Sequence, residues 1–208
     1  MQPLQTRRQF LQIGSLTIAS GAIAIGSHPS FTQGADESSL VTNPLLAITP
    51  ACSKGDRPTP SRTAGPFYTP NSPKRNSLIE SGINGTKLIV IGKVINRTCQ
   101  PISRALVDFW QADQAGNYDN SGYKLRGHQF TDSQGRYRLE TIVPGLYPGR
   151  VRHIHVSVQA ANQPILTTQL FLPGEAGNAS DGLFNPVLLL RMNSTQPKNQ
   201  AVFNFVLA

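Results

Sequence analysis

The feature that most constrains the fold is a series of short apolar runs, separated by turn-forming residues, from Lys87 to the C-terminus. Residues 87–96 are rich in β-branched side chains, and in residues 136–140 charged positions alternate with apolar ones, as in a strand with one face in water. Long helical periodicity is absent after the N-terminal segment. The spacing predicts an all-β protein with few or no helices, an antiparallel β-sandwich closed by its C-terminal strand. Further predicted strands are RALVDFWQAD, HIHVSVQA, ILTTQLFL, NPVLLLRM and AVFNFVLA.

The composition supports this prediction and limits the partners. The sequence has 208 residues, enough for one well-filled domain, and its 18 Gly and 16 Pro suit a turn-rich β protein. The formal net charge is +8. Lys and Arg are nevertheless scattered singly, without the basic blocks interleaved with aromatic residues that a nucleic-acid groove needs. We therefore expect a solvated basic surface and no nucleic-acid partner.

The N-terminus has the pattern of an export signal. Arg7 and Arg8 precede a short, uncharged stretch of apolar and small residues that ends near Gly26, which is the order found in twin-arginine signals. This stretch is too short to span a bilayer comfortably and contains several Gly and Ser, so no stable membrane anchor is expected. The pattern predicts a periplasmic or extracellular protein.

Three segments are predicted along the chain. They are the export signal over 1–35, a polar, proline-punctuated linker or irregular wrap over 36–60, and a single β-sandwich domain over 61–208. An oxidising destination would allow Cys52 and Cys99, the two cysteines of the sequence, to form a disulfide. Two free buried thiols are the alternative, and the sequence leaves both open.

A His-x-His step in the predicted strand HIHVSVQA is the strongest chemical signal. Residues two apart in a strand point to the same face, so His153 and His155 present both imidazoles to one side. Neither cysteine lies beside this pair, which disfavours a Cys-ligated zinc site. Tyr147 precedes the strand in a loop bent by Gly and Pro, and a phenolate combined with imidazoles favours a hard ion such as Fe(III) over Zn(II).

Several motifs occur in an order that resembles the intradiol ring-cleavage dioxygenases, the family of protocatechuate 3,4-dioxygenase and catechol 1,2-dioxygenase. The resemblance extends from about Arg57 to the C-terminus. It implies a β-sandwich core and a non-haem Fe(III) site whose ligands are Tyr118, Tyr147, His153 and His155. The motifs are GPFY, VDFWQAD, GNY, TDSQGRYRLETIVPGLYPGR, RHIHV, TTQLFLPG and FNFVLA.

The resemblance also implies how these residues act on the substrates, a catechol-type ring and O2. Tyr147 would leave the metal when the catechol binds, while Tyr118 and His155 stay bound. Arg150 and Gln169 would stabilise negative charge on the activated ring. The implied product is a cis,cis-muconate-type diacid.

The sequence also departs from the family pattern. Val151 and Arg152 replace a proline that often precedes the histidines, so the rim of the pocket is not specified. No N-terminal helical dimerisation domain of the kind seen in the catechol branch is expected, and homo-oligomerisation stays open. The identity of the catechol is not specified either.

Two alternatives to an iron enzyme account for part of the sequence. A non-catalytic, transthyretin-like β-sandwich module would account for the strand-turn-strand pattern GKVINRTCQPISRALVDFWQAD, but it would not account for the four ligand-type residues. A zinc hydrolase would use His153 and His155, but it lacks an obvious third carboxylate ligand and a general base at suitable spacing. The sequence therefore favours the iron-dependent dioxygenase.

Overall fold

Nine strands form two sheets in the computed structural model, which describes residues 57–193 and 199–208. One sheet has the order β4-β1-β8-β7, with β9 also paired to β1, and the other has the order β3-β2-β5-β6. The strands are β1 (Lys87–Asn96), β2 (Leu106–Trp110), β3 (Arg126–Phe130), β4 (Arg136–Ile142), β5 (His153–Gln159), β6 (Leu166–Phe171), β7 (Arg191–Met192), β8 (Gln200–Val202) and β9 (Phe205–Leu207).

The predicted all-β sandwich is confirmed. The only helices in the described residues are single 3-10 turns, Asn178–Ser180 and Pro186–Leu188. The core between the sheets is formed by alternate residues of the strands, including Val107 and Phe109 of β2. The predicted alternation of β4 is also confirmed, with exposed charged positions and a buried Tyr137 and Leu139.

The C-terminal closure differs from the prediction. The run AVFNFVLA forms two strands, β8 and β9, and both pair with β1 in parallel rather than antiparallel register. Between them the side chain of Asn204 accepts a hydrogen bond from the backbone N–H of Lys93 (2.9 Å). The Phe203 carbonyl lies so close to Gly92 that a Cβ there would be 1.7 Å from its oxygen. This close approach interrupts the last strand and depends on glycine.

The prediction of a strand over NPVLLLRM is wrong for most of this run. The Asn185 side chain accepts a hydrogen bond from Val187 N (3.0 Å), and Pro186 opens a 3-10 turn. Asparagine as an N-cap followed by proline at the first helical position favours a helical turn. Only Arg191–Met192 of this run is a strand.

The predictions for the N-terminus concern residues that the structure does not describe. Residues 1–56, with the predicted export signal and Cys52, lie outside the described residues. Cys99 is disulfide-bonded. Within the described ranges no helix is long and apolar enough to cross a membrane.

Candidate metal centre

The predicted histidine pair lies on the outer face of the sheet β3-β2-β5-β6, turned away from the core. His153 and His155 alternate along β5 with the core residues Ile154 and Val156. The two imidazoles are only 4% and 3% exposed, and their Nε2 atoms are 3.1 Å apart. The strand register has therefore placed two potential metal-binding nitrogens side by side, as the sequence predicted.

His155 belongs to a row of buried residues that crosses all four strands. The pairing registers align Arg126 of β3 with Trp110 of β2, then with His155 of β5 and Gln169 of β6. We call these four residues the site row. None of them is more than 3% exposed, which is unusual for Arg and Gln and requires that something covers them.

Residues 63–68, which we call the covering segment, supply that cover. The Gln169 side chain donates to the Thr63 carbonyl (2.8 Å), and Arg126 donates to the Phe67 carbonyl (2.7 Å). The ring of Tyr68 packs on Trp110 with a centroid distance of 4.8 Å. Gly65 lies against the His155 ring, where a Cβ would be 3.2 Å from Cε1, and it has a positive φ of 70°. Glycine is therefore favoured at this position of the GPFY motif for both space and backbone conformation.

Each histidine is oriented by its neighbours. Nδ1 of His153 donates to the Val151 carbonyl (2.7 Å), which leaves the lone pair of the neutral ring on Nε2. The ring of His155 stacks on Trp110 with a centroid distance of 5.1 Å and an interplanar angle of 6°. Both Nε2 atoms consequently face one point outside the sheet.

The two predicted tyrosines reach this point from two loops. Tyr118, between β2 and β3, places its hydroxyl 3.4 Å from Nε2 of His153. Tyr147, between β4 and β5, lies edge-on to Tyr118 with a centroid distance of 6.0 Å. The loops are joined because Gly145 N donates to the Asp113 carbonyl (2.7 Å). The structure thus brings three donor atoms into contact and places the fourth predicted ligand beside them.

Burial determines the protonation of these groups. Burial lowers the pKa of His153 to about 4 and that of His155 to about 2, and the positive charge of Arg150 contributes to both shifts. Burial also raises the pKa of Tyr118 to about 12, against the opposing effect of Arg150 and Arg126. Both imidazoles are therefore neutral at physiological pH, as metal ligands must be, and a bound cation would favour the Tyr118 phenolate.

The donor atoms fit a single metal ion. Two nitrogen ligands bound at right angles about 2.1 Å from one ion lie about 3 Å apart, and the separation of the two Nε2 atoms is 3.1 Å. The described residues contain no group of three or more His, Cys, Asp and Glu placed to hold a metal, and the further donor atom in contact with the histidines is the Tyr118 hydroxyl, 3.4 Å from Nε2 of His153. Imidazole combined with phenolate suits a hard, highly charged ion such as Fe(III).

Arg150 and Gln169, the other predicted site residues, are bonded to each other. Nη2 of Arg150 donates to Oε1 of Gln169 (2.6 Å), and its Nε donates to the Asp181 carboxylate (2.8 Å). That carboxylate, whose side chain is 2% exposed, also accepts from the backbone N–H of Val151 (3.1 Å). Two partners therefore hold the Arg150 guanidinium in one orientation.

Arg152 is engaged elsewhere. Its Nη1 donates to both carboxylate oxygens of Glu175, at 2.9 and 2.8 Å. Both arginines pair with a carboxylate, but only Arg150 also donates to Gln169 of the site row.

Three residues of the site were not predicted. Asp181 lies 31 residues beyond Arg150 in a segment without a recognisable motif. Trp110 could have been found, since strand alternation places it on the face opposite Val107 and Phe109. No motif indicated Arg126, because its side chain contacts the backbone carbonyls of two loop residues, Phe67 and Asp119.

Comparison with known proteins gives a consistent result. The family model described as "Dioxygenase" matches residues 63–187. The solved dioxygenase domain of a dioxygenase and carbohydrate-binding protein fusion from Streptomyces sp. SirexAA-E is 52% identical, with a TM-score of 0.70 over 73% of this chain and 98% of that chain. The solved 3-chlorocatechol 1,2-dioxygenase of Rhodococcus opacus 1CP is 28% identical, with a TM-score of 0.66 over 73% and 72%.

Curated relatives point the same way. The protocatechuate 3,4-dioxygenase β chain of Burkholderia cepacia is 29% identical over 76% of each chain. The catechol 1,2-dioxygenase of Candida albicans is 30% identical over 54% of this chain and 46% of that protein. The chain spans about half the length of the catechol and hydroxyquinol dioxygenases that it matches.

Proposed function

The chain belongs to the intradiol ring-cleaving dioxygenases, and we propose that it uses non-haem Fe(III) to cleave a catechol-type ring with O2. The bond that breaks joins the two hydroxyl-bearing carbons, and the product is a cis,cis-muconate-type diacid. The observation that carries the proposal is the convergence of Nε2 of His153, Nε2 of His155 and the Tyr118 hydroxyl beside Tyr147.

The four ligand-type residues share one task in this proposal. Tyr118, Tyr147, His153 and His155 hold the metal. Ferric iron, when bound there, supplies a Lewis acid that draws electron density from the catecholate and activates its ring. His153 is held by the Val151 carbonyl and His155 by Trp110, so both imidazoles are fixed before substrate arrives.

Tyr147 is the residue we propose to move. The exposed residues Pro148 and Gly149 follow it, and a Cβ at Gly149 would meet nothing within 4 Å. Its loop therefore has room to swing when a catechol enters. The Tyr147 phenolate oxygen then takes up one catechol proton, which leaves the substrate as an anion.

Arg150 is proposed to act on the substrate. Its guanidinium is oriented by Gln169 and Asp181, and its charge reaches both histidines and Tyr118. A fixed cation in a largely buried site stabilises negative charge that develops on the ring, and it needs no reorganisation during the reaction.

The contacts favour this function over the two alternatives. A non-catalytic β-sandwich module would have no reason to bury two neutral imidazoles against a phenol. A zinc hydrolase requires a carboxylate ligand or general base, whereas Asp181, the acid bonded to Arg150, accepts hydrogen bonds from Arg150, Val151 and Leu183.

The product of the reaction tests the proposal. The iron-loaded protein, supplied with catechol and isotopically labelled O2, should release a ring-opened diacid that contains both atoms of one O2 molecule. Zinc-loaded protein is the control and should return the catechol unchanged. An aldehyde product, which would come from cleavage beside the hydroxyl pair, or an unreacted catechol in the iron form would contradict the proposal.

We also propose that the chain is exported through its twin-arginine signal, which lies outside the described residues. Changing Arg7→Lys and Arg8→Lys together should abolish export and leave the activity of the folded domain unchanged. Fractionation of cells that express either form measures this. Undiminished export of the double variant would refute it.

A further inference from the structure

Arg126 is a buried cation that the proposed reaction does not use. It opens β3 at the end of the site row and is 1% exposed. The guanidinium makes three hydrogen bonds in the described part of the chain, and all go to backbone carbonyls. Burying a guanidinium is costly, and burial lowers the pKa of Arg126, although the charges of Asp119 and Asp108 oppose this shift. No hydrogen bond in the described residues joins the guanidinium to either carboxylate. This burial needs an explanation beyond filling space.

Both of its acceptors flank Tyr118. Nε and Nη2 donate to the carbonyl of Asp119, the residue that follows Tyr118, at 3.1 and 2.8 Å. Nη1 donates to the carbonyl of Phe67 (2.7 Å), and the Phe67 ring stacks on the Tyr118 ring with a centroid distance of 4.6 Å and an interplanar angle of 18°. One guanidinium thus joins the peptide after Tyr118 to the residue whose ring covers Tyr118.

The backbone of Arg126 is itself firmly held. Arg126 pairs with Trp110 in the sheet, and its carbonyl accepts from Nε of Arg75 (2.9 Å). The preceding Leu125 is buried and has a φ of 54°, a left-handed conformation that disfavours a leucine. Strain of this kind persists where surrounding contacts impose it. The guanidinium is therefore fixed to a sheet while the two segments that it joins are loops.

Tyr147 has a different setting. Its ring meets the Phe67 ring edge-on at a centroid distance of 5.4 Å, and its loop continues into exposed residues with open space around Gly149. Tyr118 is instead stacked face to face on Phe67, and Arg126 ties its loop to a strand. We infer that Arg126 is a positioning residue that fixes the Tyr118 ring and makes Tyr118 the tyrosine that is retained when Tyr147 is released. This inference rests on the proposed function, because it assigns a cause to the unequal behaviour of the two tyrosines.

The test isolates Tyr118 by removing the other tyrosine. In iron-loaded Tyr147→Phe protein, the remaining tyrosinate absorption in the visible range comes from Tyr118. Adding Arg126→Lys keeps the charge but removes the planar fork of donors. We expect the band to shift or weaken while the iron content stays unchanged. In the otherwise unaltered protein, Arg126→Lys should lower kcat by about 10²-fold with little change in KM, because a misplacement of about 1 Å has an effect of that size.

Arg62→Lys is the matched control. Arg62 also donates to backbone carbonyls, those of Leu183 (2.8 Å) and Ser61 (2.9 Å), but not to the residues that flank Tyr118. Its variant should leave the band of the Tyr147→Phe protein unchanged. Arg126→Gln, which removes the buried charge, is measured in the same way in case the lysine variant does not fold.

The outcomes separate this inference from the proposed function. If the unaltered iron-loaded protein has no visible band, the proposed function fails and this inference fails with it. If the band is present but Arg126→Lys leaves its position and intensity unchanged, the inference alone is overturned. If neither Arg126 variant folds while Arg62→Lys does, Arg126 serves folding and the positioning role is refuted.

Discussion

The outer faces of the two sheets are built from similar residue types but have opposite environments. On β1 and β4, Lys87, Arg138 and Glu140 form solvent-exposed ion pairs. On the other sheet, the site row of Arg126, Trp110, His155 and Gln169 is at most 3% exposed beneath the covering segment. The difference shows that charge and polarity alone do not make a site here. Covering one face removes water, keeps the imidazoles neutral and gives the side chains of Arg126 and Gln169 fixed hydrogen-bond partners.

The largest expected effect comes from the histidines of the covered face. His153→Ala and His155→Ala each remove one of the converging nitrogens, so we expect loss of bound iron, loss of colour and no detectable ring cleavage. Metal analysis of the purified variants measures this directly. Arg138→Ala, on the exposed face, is the control and should bind iron like the unaltered protein. Full iron occupancy in His155→Ala would mean that the metal is held elsewhere.

Arg150→Ala should separate turnover from metal binding. A guanidinium does not ligate Fe(III), so iron and colour should be retained, while kcat should fall by about 10²–10³-fold, the cost of losing one donor that stabilises developing negative charge. Steady-state kinetics on catechol measure the loss.

Arg152→Ala provides the comparison for Arg150→Ala. Arg152 donates to Glu175, whereas Arg150 donates to Gln169 of the site row, so Arg152→Ala should be nearly silent with catechol. A selective loss with protocatechuate would indicate a contact with the substrate carboxylate. Normal turnover by Arg150→Ala combined with an inactive Arg152→Ala would reverse the assignment.

Substitutions of the core tyrosine and of the two site tyrosines should also have different effects. Tyr137 lies in the core, where its hydroxyl donates to the Phe203 carbonyl (2.8 Å). Tyr137→Phe leaves that carbonyl unpaired and should lower the free energy of unfolding by about 1–2 kcal/mol, with no change in colour. Tyr118→Phe and Tyr147→Phe should each alter the visible spectrum. Bleaching by Tyr137→Phe, with an unaltered spectrum in Tyr118→Phe, would overturn the ligand assignment.

The smallest effect is expected on the exposed face. Arg138→Ala removes a solvent-exposed ion pair with Glu140, and such pairs contribute about 0.2–1 kcal/mol. Denaturant unfolding should therefore place this variant within about 1 kcal/mol of the unaltered protein. A larger loss would show that the exposed face also contributes substantially to stability.

Period-two alternation was sufficient to predict much of the fold and the placement of the histidine pair in the site. It placed His153 and His155 on one face and identified Tyr137 as a core residue, and both predictions are confirmed. It failed at NPVLLLRM, because apolar content does not reveal that Asn185 caps a turn opened by Pro186. It also did not predict that β8 and β9 pair with β1 in parallel, because alternation indicates which face a residue occupies but not which strand lies beside it.

The rest of the site depended on a different kind of information. The prediction that Tyr118 is a ligand came from the family resemblance, because nothing in its loop distinguishes it from Tyr123. Neither pattern nor resemblance supplied Arg126 or Asp181. Arg126 donates to the backbone carbonyls of Phe67 and Asp119, and Asp181 accepts from Arg150, and no local pattern encodes these contacts. Local patterns predict which face a residue occupies, whereas burial and long-range pairing decide what that residue does.

The visible absorption spectrum of the purified, iron-loaded protein, recorded with and without catechol beside a metal analysis, tests the central claim most directly. Two tyrosinate ligands on Fe(III) should give a red-brown protein through charge transfer, and catechol should change the band as it replaces one of them. Stoichiometric zinc with no visible band, or an iron form whose spectrum does not respond to catechol, would contradict the account.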